Sequence, residues 1–102
     1  MAKEIILYNL APHVTDEQYK EYVTKEKGPL LSSLPSVKKF ELVKITSSPT
    51  GKIPFKYVGI LHVKNMEEFM KKDAQSKEFK EFGAKWIKMV TDVHTLFGEE
   101  IY

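Results

Sequence analysis

Two helix-start signatures, each set behind a short apolar run, constrain this chain more than any other feature. Thr15 and Gln18 have the spacing at which a threonine hydroxyl and a glutamine side chain satisfy the first free amides of a helix, and Asn65 with Glu68 repeats that logic. Ahead of the first stands Lys3 to Leu10, KEIILYNL, too brief for a stable helix and apolar at consecutive positions, which reads as a strand buried on both faces. Ahead of the second stands Phe55 to Val63, FKYVGILHV, another strand. A chain that twice passes from a short strand into a capped helix must lay those helices against a sheet.

The remaining segments complete that plan. The first helix opens near Asp16, turns Tyr19, Tyr22 and Val23 inward, and is predicted to stop near Lys27 because Gly28-Pro29 follows. Leu30, Leu31 and Leu34 then continue the packing in a loose turn before Pro35. Val37 to Ile45 is a strand whose lysines suit a sheet edge, and Thr46 to Pro54 supplies the hairpin loop that leads to the strand at 55–63. The second helix runs from its Asn65 cap to about Ala74. A further helical piece from Lys77 gathers Phe79, Phe82, Trp86 and Met89 on one stripe, and the last strand covers about Asp92 to Gly98. Strand, helix, strand, strand, helix, strand is the split βαβ or ferredoxin-like α+β plan, an antiparallel four-stranded sheet with its helices on one face. All of it fits one domain, 1–102.

Composition narrows the function classes. Without cysteine there is no disulfide, thiol nucleophile or thiolate metal site, which fits a reducing interior; the cytoplasm is the expected location. A net charge of +2, from 16 basic and 14 acidic side chains spread along the chain, makes no strong field for nucleic acid or anionic lipid. Met1 to Leu10 lacks the apolar core of a leader, and no stretch approaches the roughly 20 apolar residues of a membrane span. Gly51-Lys52 and Phe97-Gly98-Glu99 form no phosphate loop or dinucleotide fingerprint. His13, His62 and His94 lack the spacing of metal ligands. Neither a cofactor nor a metal is therefore expected.

The sheet face opposite the helices decides the partner. RNA-recognition modules share this plan and stack bases on aromatic rings of their first and third strands. Aligned with such a module, the chain puts Ile6, Val58 and Ile60 at those positions, all aliphatic, so nucleic acid is not the expected partner. An aliphatic face of that kind should be covered, and the least demanding cover is the same face of a second copy. The expected assembly is a homodimer whose two sheets enclose a dimeric α+β barrel.

GKIPFKYVGILHVKNMEEFMKKDAQSKEF and the later WIKMVTDVHTLFGEEIY resemble the dimeric α+β barrel superfamily, and within it the RedY/HapK-like proteins and their EthD-like relatives. The resemblance is carried by the strand entering an Asn-capped helix, the Phe79, Phe82 and Trp86 stripe, and the terminal Phe97-Gly98-Glu99. The order of elements extends it over the whole chain. It implies an association with the biosynthesis of prodigiosin-like tripyrrole pigments. Other barrel relatives include cofactor-free oxygenases, polyketide cyclases and proteins without known activity.

Histidine is the side chain whose ordinary pKa suits proton transfer near neutral pH. His62 shares the parity of Val58 and Ile60 and should project into the enclosed space, as an acid or base or as a hydrogen-bonded residue at the dimer seam. His94 follows Asp92 by two, so those side chains should share a face and orient each other or one ligand. Tyr8 has the parity of Ile6 and could orient a ligand with its phenol. Val58 and Ile60 would line the site, His13 would be solvated, and Tyr57 and Trp86 would belong to the core. The expected function is proton transfer or condensation on a small apolar, heteroaromatic or polyketide-like intermediate, with His62 and His94 as catalytic candidates. The alternative is a noncatalytic dimeric protein that binds or scaffolds such an intermediate.

Overall fold

The computed structural model describes residues 2–102; Met1 lies outside the described residues. The strand β1 (Ala2–Leu10) is followed by α1 (Asp16–Tyr22), a π turn (Val23–Lys27) and α2 (Gly28–Ser33). The hairpin β2 (Val37–Lys44) and β3 (Tyr57–Val63) comes next, then α3 (Met66–Lys71), a short 3-10 turn (Asp73–Gln75), α4 (Lys77–Trp86) and β4 (Val90–Glu99). The sheet order is β2-β3-β1-β4 with every neighbouring pair antiparallel, the ferredoxin-like arrangement expected. The lysine-bearing β2 is indeed an edge.

Both predicted caps form. Thr15 Oγ1 accepts from the Gln18 amide at 3.1 Å while Gln18 Oε1 accepts from the Thr15 amide at 2.9 Å, and Asn65 Oδ1 accepts from the Glu68 amide at 3.0 Å. The predicted helix stop does not form. The chain runs on through the π turn, in which the Gly28 amide donates to Val23 O, and continues as α2 through Ser33, so Leu30 and Leu31 lie in a helix rather than a loose turn. Pro29 in a regular helix would lack its own donor and press its ring on the carbonyl four residues back. A wider turn stands immediately ahead of it, and Pro29 falls in the first turn of the helix that follows, where its missing donor costs least. The π turn also brings Val23 O to 2.9 Å from where a Cβ on Gly28 would stand, which reserves that position for glycine.

Strand register sorts the two faces. Tyr8 lies opposite Tyr57 and Ile6 opposite Gly59, and these residues look toward the helices. Ile5 pairs with Ile60 and Leu7 with Val58 on the open face. Ile6 is thus not on the open face, as the comparison with RNA-recognition modules had it; Ile5 and Leu7 take its place, and the face stays aliphatic. Nor is β1 buried on both sides, since Ile5 and Leu7 are only half-buried. On the helix side, Tyr8, Tyr19, Tyr22, Tyr57, Trp86 and Val90 make one core cluster, and Leu31, Leu34, Val37, Leu61, Val63 and Phe69 make the other.

Candidate functional site

A cavity of about 440 Å³ lies between the helix face of the sheet and α2, α3 and α4. Ile6, Phe40, Phe69, Phe82 and Trp86 give it apolar walls, and the exposed Ile87 and Phe97 stand at its rim. Into these walls the chain places two ionisable side chains, Glu4 from β1 and Lys27 from the end of the π turn.

Lys27 is 3% exposed. Its Nζ lies 3.1 Å from Tyr19 Oη and 3.3 Å from Tyr8 Oη, and the two phenol oxygens are 2.5 Å apart. Trp86 Nε1 donates to Tyr19 Oη at 2.9 Å. The two protonation states of the amine use this triangle differently. One phenol hydrogen bridges the two tyrosines, and Lys27 Nζ donates to both phenol oxygens. An ammonium has three donors and no lone pair, whereas a neutral amine can accept. A neutral Lys27 can also accept the second phenol hydrogen, whereas an ammonium can only donate.

Two opposing effects act on that charge. The rings of Trp86, Tyr8, Phe40 and Tyr19 lie 4.7, 5.1, 5.4 and 5.7 Å from Nζ and favour the cation. Such contacts contribute up to roughly 2 kcal/mol when desolvated, whereas removing an ammonium from water costs several kcal/mol. Burial wins: it pushes Lys27 down to about 7, opposed by the charge of Glu4. Burial likewise raises Glu4 above the usual carboxylate range, opposed by Lys27, and raises the phenols of Tyr8 and Tyr19, which therefore stay protonated. The cavity holds an amine able to take a proton near neutral pH and a carboxyl whose pKa burial raises.

The residues singled out from sequence are distributed differently. Tyr8 is fully buried on the helix side, as part of the Lys27 triangle. Val58, Ile60 and His62 do share the open face, where His62 Nε2 lies 2.5 Å from Glu41 Oε1. His94 sits opposite Leu7, is exposed, and meets Phe55 edge-on with centroids 5.0 Å apart. The expected partnership of Asp92 with His94 does not form. The β1–β4 register slips between Leu7 and Asn9, Asp92 takes a φ of 54°, and its carboxylate accepts from Asn9 Nδ2 at 3.1 Å. A bulge of this kind breaks the alternation on which that pairing rested. His13 is exposed, and Tyr57 and Trp86 belong to the core as expected. Among the described residues no group of three or more histidines and carboxylates is placed to hold a metal, and no helix is long and apolar enough to cross a membrane.

Lys27 and Glu4 were not singled out from sequence, although a signal existed for the lysine. It stands eight residues after Tyr19 and four after Val23, on the inner stripe of the first helix. A lysine at a helix end is also the ordinary complement of the helix dipole, so its position alone does not mark it as buried. A second polar cluster was missed as well. Asp16 accepts from Tyr57 Oη at 2.6 Å, from Lys56 Nζ at 2.8 Å and pairs with Lys44 at 3.1 Å, and the Lys56 and Tyr57 bonds hold its carboxyl well below the usual range.

With this geometry in hand, comparison with known proteins places the chain. The family model described as REDY-like protein HapK matches residues 2–101. The chain belongs to the HapK family. HapK from Hahella chejuensis is 21% identical, with a TM-score of 0.81 over 99% of this chain and 93% of that one. An EthD family protein from Bacillus halodurans is 20% identical with a TM-score of 0.73, covering 99% of this chain and 100% of the other. A hydroxynitrile lyase from Passiflora edulis, 12% identical, has a TM-score of 0.82 over 99% of this chain and 95% of its own. At these identities the solved structures share the fold with this HapK-family chain. No curated protein sequence matches it.

Proposed function

We propose that this HapK-family chain works as a homodimer with its open sheet faces paired, and that each subunit's cavity takes an apolar heteroaromatic or polyketide-like intermediate on which Lys27 transfers a proton. One observation carries the reading: a buried amine, bonded only to tyrosine hydroxyls, on the wall of an otherwise apolar cavity large enough for such a ligand. A base with a pKa near the working pH combines availability with driving force. The neutral amine takes a proton from an acidic C–H or N–H beside a carbonyl, the resulting anion is held next to the new ammonium, and the proton returns to another atom of the same ligand. Glu4, raised by burial and lining the same cavity, can in its protonated form donate a hydrogen bond to the ligand's oxygen.

The association of HapK-like proteins with pigment biosynthesis supports the ligand class. Ile5, Leu7, Val58 and Ile60, half-buried side by side, support the homodimer, with His62 and Glu41 near the edge of the paired face. On this reading His62 and His94 serve the seam rather than the proton transfer. The test is deuterium exchange into the methyl group of 2-acetylpyrrole in D2O, followed by NMR. The wild-type chain should accelerate exchange, with a rate that rises to a plateau above about pH 7, and Lys27→Met should lose at least ten-fold. Equal rates for the two proteins would remove Lys27 from the reaction.

A further inference from the structure

The structure assigns Lys27 a second capability: its Nζ is placed to form a covalent imine with the carbonyl carbon of an apolar aromatic aldehyde seated in the cavity. This deepens, and rests on, the reading of that cavity as the ligand site. Three features lead to it. The amine lies on the cavity wall, and no carboxylate stands within ion-pair distance to hold it as an ammonium among the described residues. Burial among tyrosine hydroxyls rather than carboxylates brings the neutral amine within reach near pH 7, and that form carries the lone pair that attack on a carbonyl needs once a ligand draws it from the phenols. Finally, Phe40, Phe69, Phe82 and Trp86 form walls that suit a planar aromatic group beside that nitrogen.

The step balances without any further reactant. The amine nitrogen bonds to the carbonyl carbon and gives up a proton as the carbonyl oxygen gains one. The hydroxyl of the carbinolamine then leaves as water with a second proton, and the nitrogen's remaining hydrogen is lost, leaving R–CH=N–Lys27 and one water. Glu4 is the carboxyl that lines the same cavity and can exchange those protons. The charged and titratable groups that face the amine are Glu4 and Tyr8 from β1 and Tyr19 from α1. Both tyrosines remain phenols across the working range. Every other lysine of the chain is exposed or half-buried, so each molecule carries its own controls.

At pH 7 about half of an amine with pKa near 7 is neutral, against roughly one in a few thousand for an ordinary lysine. The experiment treats the intact protein with 2-naphthaldehyde and sodium cyanoborohydride at pH 7 and maps the reduced adduct by peptide mass spectrometry. Fluorescence of the single tryptophan, Trp86, reports cavity occupancy by 2-naphthalenemethanol, which has no carbonyl. The expected result is labelling of Lys27 at least ten-fold above any other lysine, with a rate midpoint near pH 7, and quenching of Trp86 by the alcohol. Lys27→Met should keep the quenching and lose the label; the mapping on the wild-type chain decides even if that variant fails to fold. Label confined to exposed lysines while the alcohol still quenches Trp86 would overturn the imine and leave the cavity reading standing. Absence of both Lys27 label and quenching would overturn the two together.

Discussion

Lys27→Met isolates the energetic consequence of burying an amine, because methionine fills a similar volume among the aromatic rings and cannot be protonated. A lysine whose pKa falls from 10.5 unfolded to about 7 folded is held against protonation by roughly 5 kcal/mol, at 1.36 kcal/mol per tenfold. The sign follows from which state binds the proton. Below pH 7 both states are protonated and the full penalty destabilises the fold; between 7 and 10.5 the unfolded chain holds the proton and the native one does not, so stability rises with pH. Between pH 6 and pH 9 the wild-type chain should gain about 2 to 3 kcal/mol relative to Lys27→Met. With a urea slope of roughly 1 kcal/mol per M for a chain of this size, that is a relative midpoint shift of about 2 M. Urea titrations of both proteins at fixed chain concentration across pH 6 to 9 measure it, and the difference cancels groups common to the two. The window stays below the range in which unfolded tyrosines ionise. A midpoint difference that does not change with pH would refute the reasoning.

Other outcomes follow from separate parts of the fold. Gly28→Ala should place a methyl group 2.9 Å from Val23 O and destabilise by about 1 to 3 kcal/mol, seen as a fall in melting temperature; an unchanged value would show that the π turn can give way. Tyr57→Phe removes the donor 2.6 Å from Asp16 and should cost about 1 kcal/mol by urea denaturation, and no loss would make that bond dispensable. Val58→Asp puts a charge in the middle of the half-buried open face opposite Leu7, and sedimentation should show two-chain particles for the wild type and single chains for the variant. A single-chain wild type at micromolar concentration would exclude the paired faces.

The architecture was legible because its signals are local. Thr15 with Gln18 and Asn65 with Glu68 announce helix starts from four residues each, and the alternation of Tyr57 to Val63 announces a strand with two distinct faces. What local rules missed turns on irregular backbone. Gly28-Pro29 reads as a stop unless a wider turn accommodates the proline, and only the folded chain shows that it does. Asp92 and His94 share parity unless a bulge intervenes, and nothing in TDVHT marks one. The parity of Ile6 and Tyr8 was read correctly, but the sense of that face depends on which way the strand is turned toward the helices, which its own residues do not say. The site was least legible of all. Lys27 becomes a candidate through burial and its tyrosine neighbours, which come from β1 and α1 at separations of 19 and 8 residues.

The central claim is that one buried lysine of this chain takes up and releases its proton near neutral pH, and a pH titration of the lysine side chains by carbon-13 NMR tests it most directly, with Lys27→Met assigning the signal. The account predicts one ε-carbon resonance moving with a midpoint near pH 7 and vanishing in the variant. A spectrum in which no lysine resonance moves near pH 7 would contradict it.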